Sequence, residues 1–228
     1  MSELNEKDLI ASRVALEMED GYVVNLGIGL PTLVANFVPP GIQITLQAEN
    51  GLLGMGALSA PGEEDSDVIN AGNQFVNFNA GASFFDSPMS FAMIRGGHVN
   101  MTVLGALQVD ELGNIASHVV PGKMVPGMGG AMDLVAGARK VIVAMLHTSK
   151  GAQKILKRCT LPLTAQGKVN LIVTEKAVIE VTPLGLLLKE IMPGSSLEDV
   201  LASTGAELIL ADHLKQLAGV TPAPGEAS

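Results

Sequence analysis

Apolar residues recur at helical spacing near the start of the chain, at Ile10, Val14 and Met18, backed by Ala11 and Ala15. They predict one buried face of a helix, and Gly21 is placed to end it. Residues 22–26 (Tyr-Val-Val-Asn-Leu) read as a strand. Gly27-Ile28-Gly29-Leu30-Pro31 then forms a turn into a second helix, whose first turn tolerates Pro31. Residues 42–47 (Ile-Gln-Ile-Thr-Leu-Gln) alternate apolar and polar positions and predict another strand. That strand runs into Ala48-Glu49. Asn50-Gly51 follow with a sharp turn, because both residues accept positive φ. Helix, strand, helix and strand in this order predict a βαβ unit and a parallel sheet.

Further along, residues 60–67 read as a polar surface loop, and residues 90–95 as a short helix stopped by Gly96-Gly97. Strands are expected at 101–107, 140–146, 170–174 and 177–181. Between them, residues 121–130 form a second glycine-rich loop with four glycines and two prolines. Ser195-Ser196-Leu197-Glu198 has the form of a capping box opening a last amphipathic helix. Residues 221–228 (Thr-Pro-Ala-Pro-Gly-Glu-Ala-Ser) are expected to be a disordered tail. With no internal repeat and no linker, residues 1–220 are expected to form a single α/β domain. Its core would be an open, mostly parallel sheet with helices on both faces.

Composition narrows the function classes. The 228 residues carry a net charge of -9, with a pI near 4.8, which argues against a nucleic-acid surface. A single cysteine, Cys159, gives neither a disulfide framework nor a cysteine metal cluster, and fits a reduced cytoplasm. The acidic, polar first residues are unlike a targeting peptide, and no apolar run approaches the roughly 18–20 residues that span a bilayer. With only 16% charged residues and a mean hydropathy of +0.37, the chain suits either a well-filled α/β core or a large subunit interface.

Glu49, at a strand's carboxyl end, stands where open α/β sheets place their ligands. It suits a ribose-binding acid, a general base or a nucleophile. A dinucleotide fingerprint is half present: Gly27-x-Gly29 follows a strand, and Glu49 lies twenty residues after Gly29. The third glycine is missing, since Thr32 stands there, and no P-loop exists. His98, His118, His147 and His213 fall at no metal-ligand spacing, so no metal is expected. His98, after two glycines, suits a turn. Cys159, beside Arg158, reads as a structural thiol, although a neighbouring cation would lower its pKa. Met128 and Met132 read as core filler. Successive glycines at Gly127, Gly129 and Gly130 lead into a helix-like segment, exposing backbone N–H groups suited to an anion or a developing oxyanion. A carboxylate on one turn and an N–H-rich turn elsewhere are the parts for acyl transfer through an acyl-carboxylate intermediate.

Glu49-Asn50-Gly51-Leu52-Leu53-Gly54 and Asn25-Leu26-Gly27-Ile28-Gly29-Leu30-Pro31 together resemble the β subunit of the family I short-chain CoA-transferases. The resemblance continues through Phe85-Asp86-Ser87, residues 90–98, residues 121–133 and Cys159-Thr160-Leu161-Pro162-Leu163-Thr164, covering roughly residues 8–215 in unbroken order. It implies the CoA-transferase fold, with Glu49 as the nucleophile and Asn25, Asn50 and Gly51 as its support, Asn25 by hydrogen bonding. It also implies that Gly27, Gly29, Met128, Gly129 and Gly130 contact CoA or the thioester oxygen, and that Lys123 meets a CoA phosphate or is a plain surface lysine. No cofactor would be tightly bound. Coenzyme A would be a substrate, carried covalently on Glu49 during turnover.

The implied partner is the α subunit of a CoA-transferase in an α2β2 heterotetramer, working in the cytoplasm on acyl-CoA and short-chain carboxylic acids, with neither nucleic acid nor membrane involved. Acetoacetyl-CoA with acetate or butyrate is the first substrate reading; succinyl-CoA:3-oxoacid and 3-oxoadipate transfer use the same motifs. Two rivals come from other classes. One is a subunit of an NAD-binding oxidoreductase, the other a non-catalytic chain that binds acyl-CoA. One departure stands out: Ser117-His118 precede the Pro-Gly-Lys loop where many relatives carry Asn-Trp, and the chain has no tryptophan.

Overall fold

Three strands at the centre of the molecule are buried along almost their whole length, and this is the mark of a parallel sheet covered on both faces. They are β5 (Met101–Leu104), β6 (Lys140–Ala144) and β7 (Leu171–Val173). In the computed structural model, which describes residues 5–122 and 128–217, alternate side chains feed two separate cores. Val141, Val143 and Ile172 join one core; Ile142, Ala144, Leu171 and Val173 join the other.

The remaining strands of the sheet are β1 (Val23–Leu26), β2 (Thr45–Ala48), β3 (Leu52–Leu58), β4 (Val76–Phe84), β8 (Ala177–Thr182), β9 (Gly185–Ile191) and β10 (Leu208–Gln216). Their spatial order is β10-β9-β8-β7-β6-β5-β1-β2-β3-β4. The five strands from β7 to β2 are parallel throughout. Antiparallel pairings extend them at both ends, β7-β8-β9 on one side and β2-β3-β4 on the other. The sheet is therefore mixed around a parallel centre.

Helix α1 (Glu6–Ala15) and a 3-10 helix (Leu30–Phe37) cover one face. The other face is covered by α2 (Ser87–Arg95), α3 (Ala131–Gly137) and α4 (Leu197–Ser203). Helices on both faces are as the sequence predicts. The expected stripe of Ile10, Ala11, Val14, Ala15 and Met18 is buried, but α1 ends at Ala15 with Leu16 as its cap. Met18 therefore packs from the loop, and Gly21, at φ +79°, turns the chain into β1 without ending the helix. The β1-to-β2 crossover is the predicted helix, wound as 3-10 with Pro31 in its first turn. The capping box at α4 is offset by one residue from the expected pair, and joins Ser196 to Asp199. The tail at 221–228 lies outside the described residues.

The hairpin β3-β4 is the main element not anticipated. Gly54 (φ +90°) and Gly81 (φ +87°) interrupt it, and its register shifts beside Leu53 and Met55. A Cβ at Gly54 would meet the Ala82 backbone at 3.0 Å. Gly54 thus allows the bulged β3 and the edge strand β4 to approach closely.

Buried polar groups tie these layers together. Arg13 on α1 grips Glu190 on β9 through two nitrogens, at 2.6 and 3.0 Å, and reaches Glu17 at 2.8 Å; Lys140 on β6 closes the chain at Glu17. His147, fully buried after β6, sits between Thr174 and Thr204, each hydroxyl 2.9 Å from one ring nitrogen. The Thr204 proton goes to the Val200 carbonyl at 2.7 Å, so Nε2 carries the imidazole proton and donates it to Thr204.

Burial, reinforced by Lys176 and Lys154, pushes the His147 pKa down to about 4. The unfolded chain takes up this proton below about pH 6.5 and the folded one does not. Stability from neutral His147 is therefore full above pH 6.5 and is lost as pH falls towards 4, by roughly 3 kcal/mol. Chemical denaturation at pH 7 and pH 4.5 should show this loss in the wild type and a smaller one in His147→Gln. Equal losses in the two would remove His147 from the account.

Candidate active site

The parallel order reverses direction at β1: the chain passes from β1 to β2 on one side, and later to β5 on the other. A crevice at such a switch point, outside the carboxyl ends of the strands, is the usual ligand site of an open α/β sheet. A cavity of about 520 Å³ lies there, lined by Asn25, Gly27, Glu49, Leu104, His118 and Met128 among others.

Glu49 follows β2 directly and is half-buried. Its turn is fixed by Gly51, at φ +121°, whose missing side chain matters doubly: a Cβ there would fall 1.9 Å from the Phe85 carbonyl oxygen. The Phe85 N–H in turn donates to the Gly51 carbonyl at 2.9 Å. Asn50 is exposed, and its amide donates to the Ile69 carbonyl at 2.7 Å, holding the turn to the next loop and not the carboxylate.

The Glu49 carboxylate lies on the second glycine turn. Oε1 accepts a 3.0 Å hydrogen bond from the Gly130 N–H, which opens α3. A Cβ on Gly129 would stand 2.8 Å from Oε1, and one on Gly130 would stand 2.6 Å from Oε2. The two glycines are therefore the floor on which the carboxylate rests. The two turns that the sequence singled out separately are in direct contact. Residues 123–127 of that loop, Lys123 among them, lie outside the described residues.

Asn25, expected to orient Glu49 directly, holds Gln47 instead. Its Nδ2 donates to the Gln47 carbonyl at 3.0 Å and to Gln47 Oε1 at 2.7 Å. Gln47 Nε2 donates to the Ala48 carbonyl at 3.0 Å and to Ser90 on α2 at 2.9 Å. All three side chains are buried, so Asn25 steadies the strand end that carries Glu49 without touching the carboxylate. Gln47 and Ser90 were not anticipated. The available signal was small: Gln47 ends a predicted strand and Ser90 opens a predicted helix, where a polar residue is expected to face water.

Gly27 lines the cavity, yet its N–H donates to the Val103 carbonyl at 2.8 Å, which leaves it no donor for a ligand. Its glycine character serves packing, since a Cβ would meet Leu104 and Val103 at 3.1 Å. Gly29, at φ +87°, is exposed and caps the 3-10 helix outside the cavity wall. Both findings go against a dinucleotide phosphate turn, because the nitrogen such a turn would offer at Gly27 is taken. Met128 and Met132 are 38% and 47% exposed, so neither is core filler, and Met128 faces the cavity.

Cys159 is a structural thiol. Burial and the nearby Asp110 carboxylate push its pKa up to about 12, opposite to the shift that Arg158 alone would cause. Among the described residues no cluster of three or more His, Cys, Asp or Glu is placed to hold a metal. Among them, too, no helix is long and apolar enough to cross a membrane.

A half-buried carboxylate supported on a backbone N–H, beside a cavity of small-ligand size, has the chemistry of a nucleophile, a general base or a ligand-binding acid. Residues 7–203 match the family model described as Coenzyme A transferase. The chain is 55% identical to the acetate CoA-transferase subunit beta of Escherichia coli, over 95% of this chain and 99% of that protein. It is 54% identical to the corresponding Haemophilus influenzae subunit, over 94% and 96%. A mouse mitochondrial succinyl-CoA:3-ketoacid coenzyme A transferase 2B is 50% identical over 91% of this chain, which spans only 41% of that longer protein. Among solved structures, the acyl-CoA transferase YdiF of Escherichia coli O157:H7 superposes with a TM-score of 0.77 at 25% identity, covering 96% of this chain and 44% of that one. Motifs, fold and relatives agree, and the chain belongs to the coenzyme A transferase family, on the side of its beta subunits.

Proposed function

We propose that this chain is the nucleophile-bearing subunit of a short-chain CoA-transferase, working through covalent intermediates on Glu49. The observation that carries this reading is the Glu49 carboxylate held at the cavity by the Gly130 N–H. Oε2 attacks the thioester carbonyl of an acyl-CoA and expels CoA thiolate, giving an acyl-glutamyl anhydride. The thiolate then attacks the glutamyl carbonyl carbon, the first acid leaves as its carboxylate, and a glutamyl-CoA thioester remains. An acceptor carboxylate attacks that thioester to give a new anhydride and free thiolate. The thiolate takes the new acyl group, and Glu49 returns as a carboxylate. Both carriers are activated acyl groups, so no ATP is consumed, and water must be kept out.

Gly130 has a defined part in this route. Oε1 stays on its N–H while Oε2 reacts, so Oε1 becomes the anhydride carbonyl oxygen. When thiolate attacks the glutamyl carbon, charge develops on that same oxygen, already 3.0 Å from a backbone donor. A weak carboxylate nucleophile depends on such placement for most of its rate.

Among the described residues lining the cavity there is no lysine or arginine. The phosphates of CoA therefore need cations from Lys123 or from a partner. Close relatives are named as beta subunits, which supports an alpha-type partner completing the site; an α2β2 assembly working in the cytoplasm is part of the same proposal. Acetoacetyl-CoA with acetate or butyrate is the preferred substrate pair. The succinyl-CoA:3-ketoacid relatives support a second reading, but a second carboxylate in the acyl group would need a cation that the described wall lacks.

The test is intact mass of this chain, assembled with its partner, after mixing with acetoacetyl-CoA and no acceptor acid. A gain of one CoA less one water is expected. An unmodified chain under conditions where acyl-CoA is bound would reject the covalent route.

A further inference from the structure

The segment Cys159-Thr160-Leu161-Pro162-Leu163-Thr164 belongs to the sequence pattern of the chain but has no part in the chemistry above. Its last residue shows what it supports. Thr164 is 3% exposed, and its N–H donates to the Ile115 carbonyl at 2.7 Å, which fixes it beneath the short strand Ile115–Ala116. Its hydroxyl oxygen meets three groups of the next two residues: the Ser117 N–H at 3.1 Å, Ser117 Oγ at 2.7 Å and His118 Nδ1 at 3.2 Å. The segment is itself anchored further back, where Gln108 Oε1 accepts from the N–H groups of Thr160 and Leu161 at 2.8 and 3.0 Å. Ser117 and His118 both line the cavity that holds Glu49.

A buried hydroxyl that fixes one nitrogen of an imidazole fixes the whole ring and leaves the other nitrogen for the cavity. The Ser117 N–H fills one lone pair of Thr164 Oγ1. When Ser117 Oγ–H fills the second, the Thr164 proton goes to His118 Nδ1, and Nε2 carries the imidazole proton. An acyl group presents only acceptor oxygens to this wall, so an oxygen-bearing acyl chain selects the Nε2–H form. Three of the wall's other donors are already engaged: Asn25 donates to Gln47, the Gly27 N–H to Val103 and the Gly130 N–H to Glu49.

We propose that His118, buttressed by Thr164, is a specificity-determining residue that favours acyl groups carrying a 3-oxo oxygen over unsubstituted chains of the same length, by donating Nε2–H to that oxygen. The proposal rests on the CoA-transferase reading above and deepens it. It also gives the Ser117-His118 departure a chemical meaning, because an indole at the second position would fill space and offer its donor from a different place.

Acetoacetyl-CoA and butyryl-CoA have four acyl carbons each and differ at C3 by an oxo group against a methylene. With the assembled enzyme and acetate as acceptor, His118→Ala should lower kcat/KM about 30-fold for acetoacetyl-CoA and less than about 3-fold for butyryl-CoA, the size expected for one lost hydrogen bond to a desolvated oxygen. His118→Gln, which places an amide N–H near the Nε2 position, should restore part of the preference. Thr164→Val, which leaves the ring but frees it to rotate, should reduce the preference less than His118→Ala does. Equal losses for the two substrates in His118→Ala would overturn the proposal, as would an unchanged preference. Wild-type enzyme that transfers CoA from neither substrate would overturn the underlying reading, a result distinct from either of those.

Discussion

Glu49→Ala is expected to abolish CoA transfer in the assembled enzyme, with kcat falling by at least about 10^4-fold, while stability changes little. The carboxylate is half-buried and makes one hydrogen bond among the described residues, to the Gly130 N–H, so its loss leaves that donor beside a solvent-accessible cavity and disrupts no core packing. The other nucleophilic side chains of the described wall are engaged elsewhere: Thr32 Oγ1 donates to the Gly29 carbonyl, and Ser117 Oγ and His118 Nδ1 pair with Thr164 Oγ1. Cys159 is held as a neutral thiol by a pKa of about 12 and lies outside the cavity wall. Initial rates with acetoacetyl-CoA and acetate, measured beside a thermal melt, check the prediction. A variant that keeps even a hundredth of wild-type kcat would argue for direct attack of the acceptor acid on acyl-CoA, without an enzyme-bound intermediate.

Gly130→Ala should be the most damaging of the changes that leave every reacting group in place, lowering kcat/KM by about 10^2- to 10^3-fold. Backbone strain is not the reason, since Gly130 has φ -83° and ψ 13°, which alanine adopts freely. The added Cβ would lie 2.6 Å from Glu49 Oε2 and 2.8 Å from the Phe91 ring. The carboxylate is at the end of a flexible side chain, so Glu49 gives way and leaves the position set by the N–H, while the Phe91 ring has to shift slightly as well. A melt close to wild type with a large loss of rate is the expected pair of results. Wild-type kinetics would mean that the carboxylate reacts from a position away from α3. Gly129 is a less clean probe, because its φ of +52° penalises any side chain whatever the space.

Local chemistry explains why parts of this site could be read in the sequence. The turn at Glu49-Asn50-Gly51 needs a residue tolerant of positive φ after a strand, and Gly51 with its φ of +121° is that residue. The glycines before α3 likewise announce exposed N–H groups, although nothing local says that the group they meet is Glu49. The five parallel strands and the helices on both faces followed from buried apolar runs separated by helical spacing. The β3-β4 hairpin did not, because Gly54 and Gly81, at positive φ, and the register shifts beside Leu53 and Met55 break the alternation that marks a strand.

Contacts between distant segments were the other blind spot. Asn25 carries an amide that suits a carboxylate, but its partner is decided by strand register, which places it beside Gln47. Gly27 looked like a phosphate-binding glycine and is a packing glycine, because β5 lies against it. Ser117-His118 could be marked as a departure, yet its place on the cavity wall depends on Thr164, more than forty positions away in the chain.

The bond between Glu49 and Gly130 spans 81 residues of sequence, and the layer beneath it joins Asn25 to Gln47 across 22 and Gln47 to Ser90 across 43. During refolding these contacts cannot form from neighbours in the chain; they wait for β1, β2, α2 and α3 to assemble around the centre of the sheet. Such long-range closures are the slow steps of folding. On the covalent route proposed above, a nascent chain would carry a free, solvated glutamate, and the placement that makes it reactive would arise only when the central layers have closed. Folding order would then act as a safeguard, delaying that chemistry until there is a cavity to contain it.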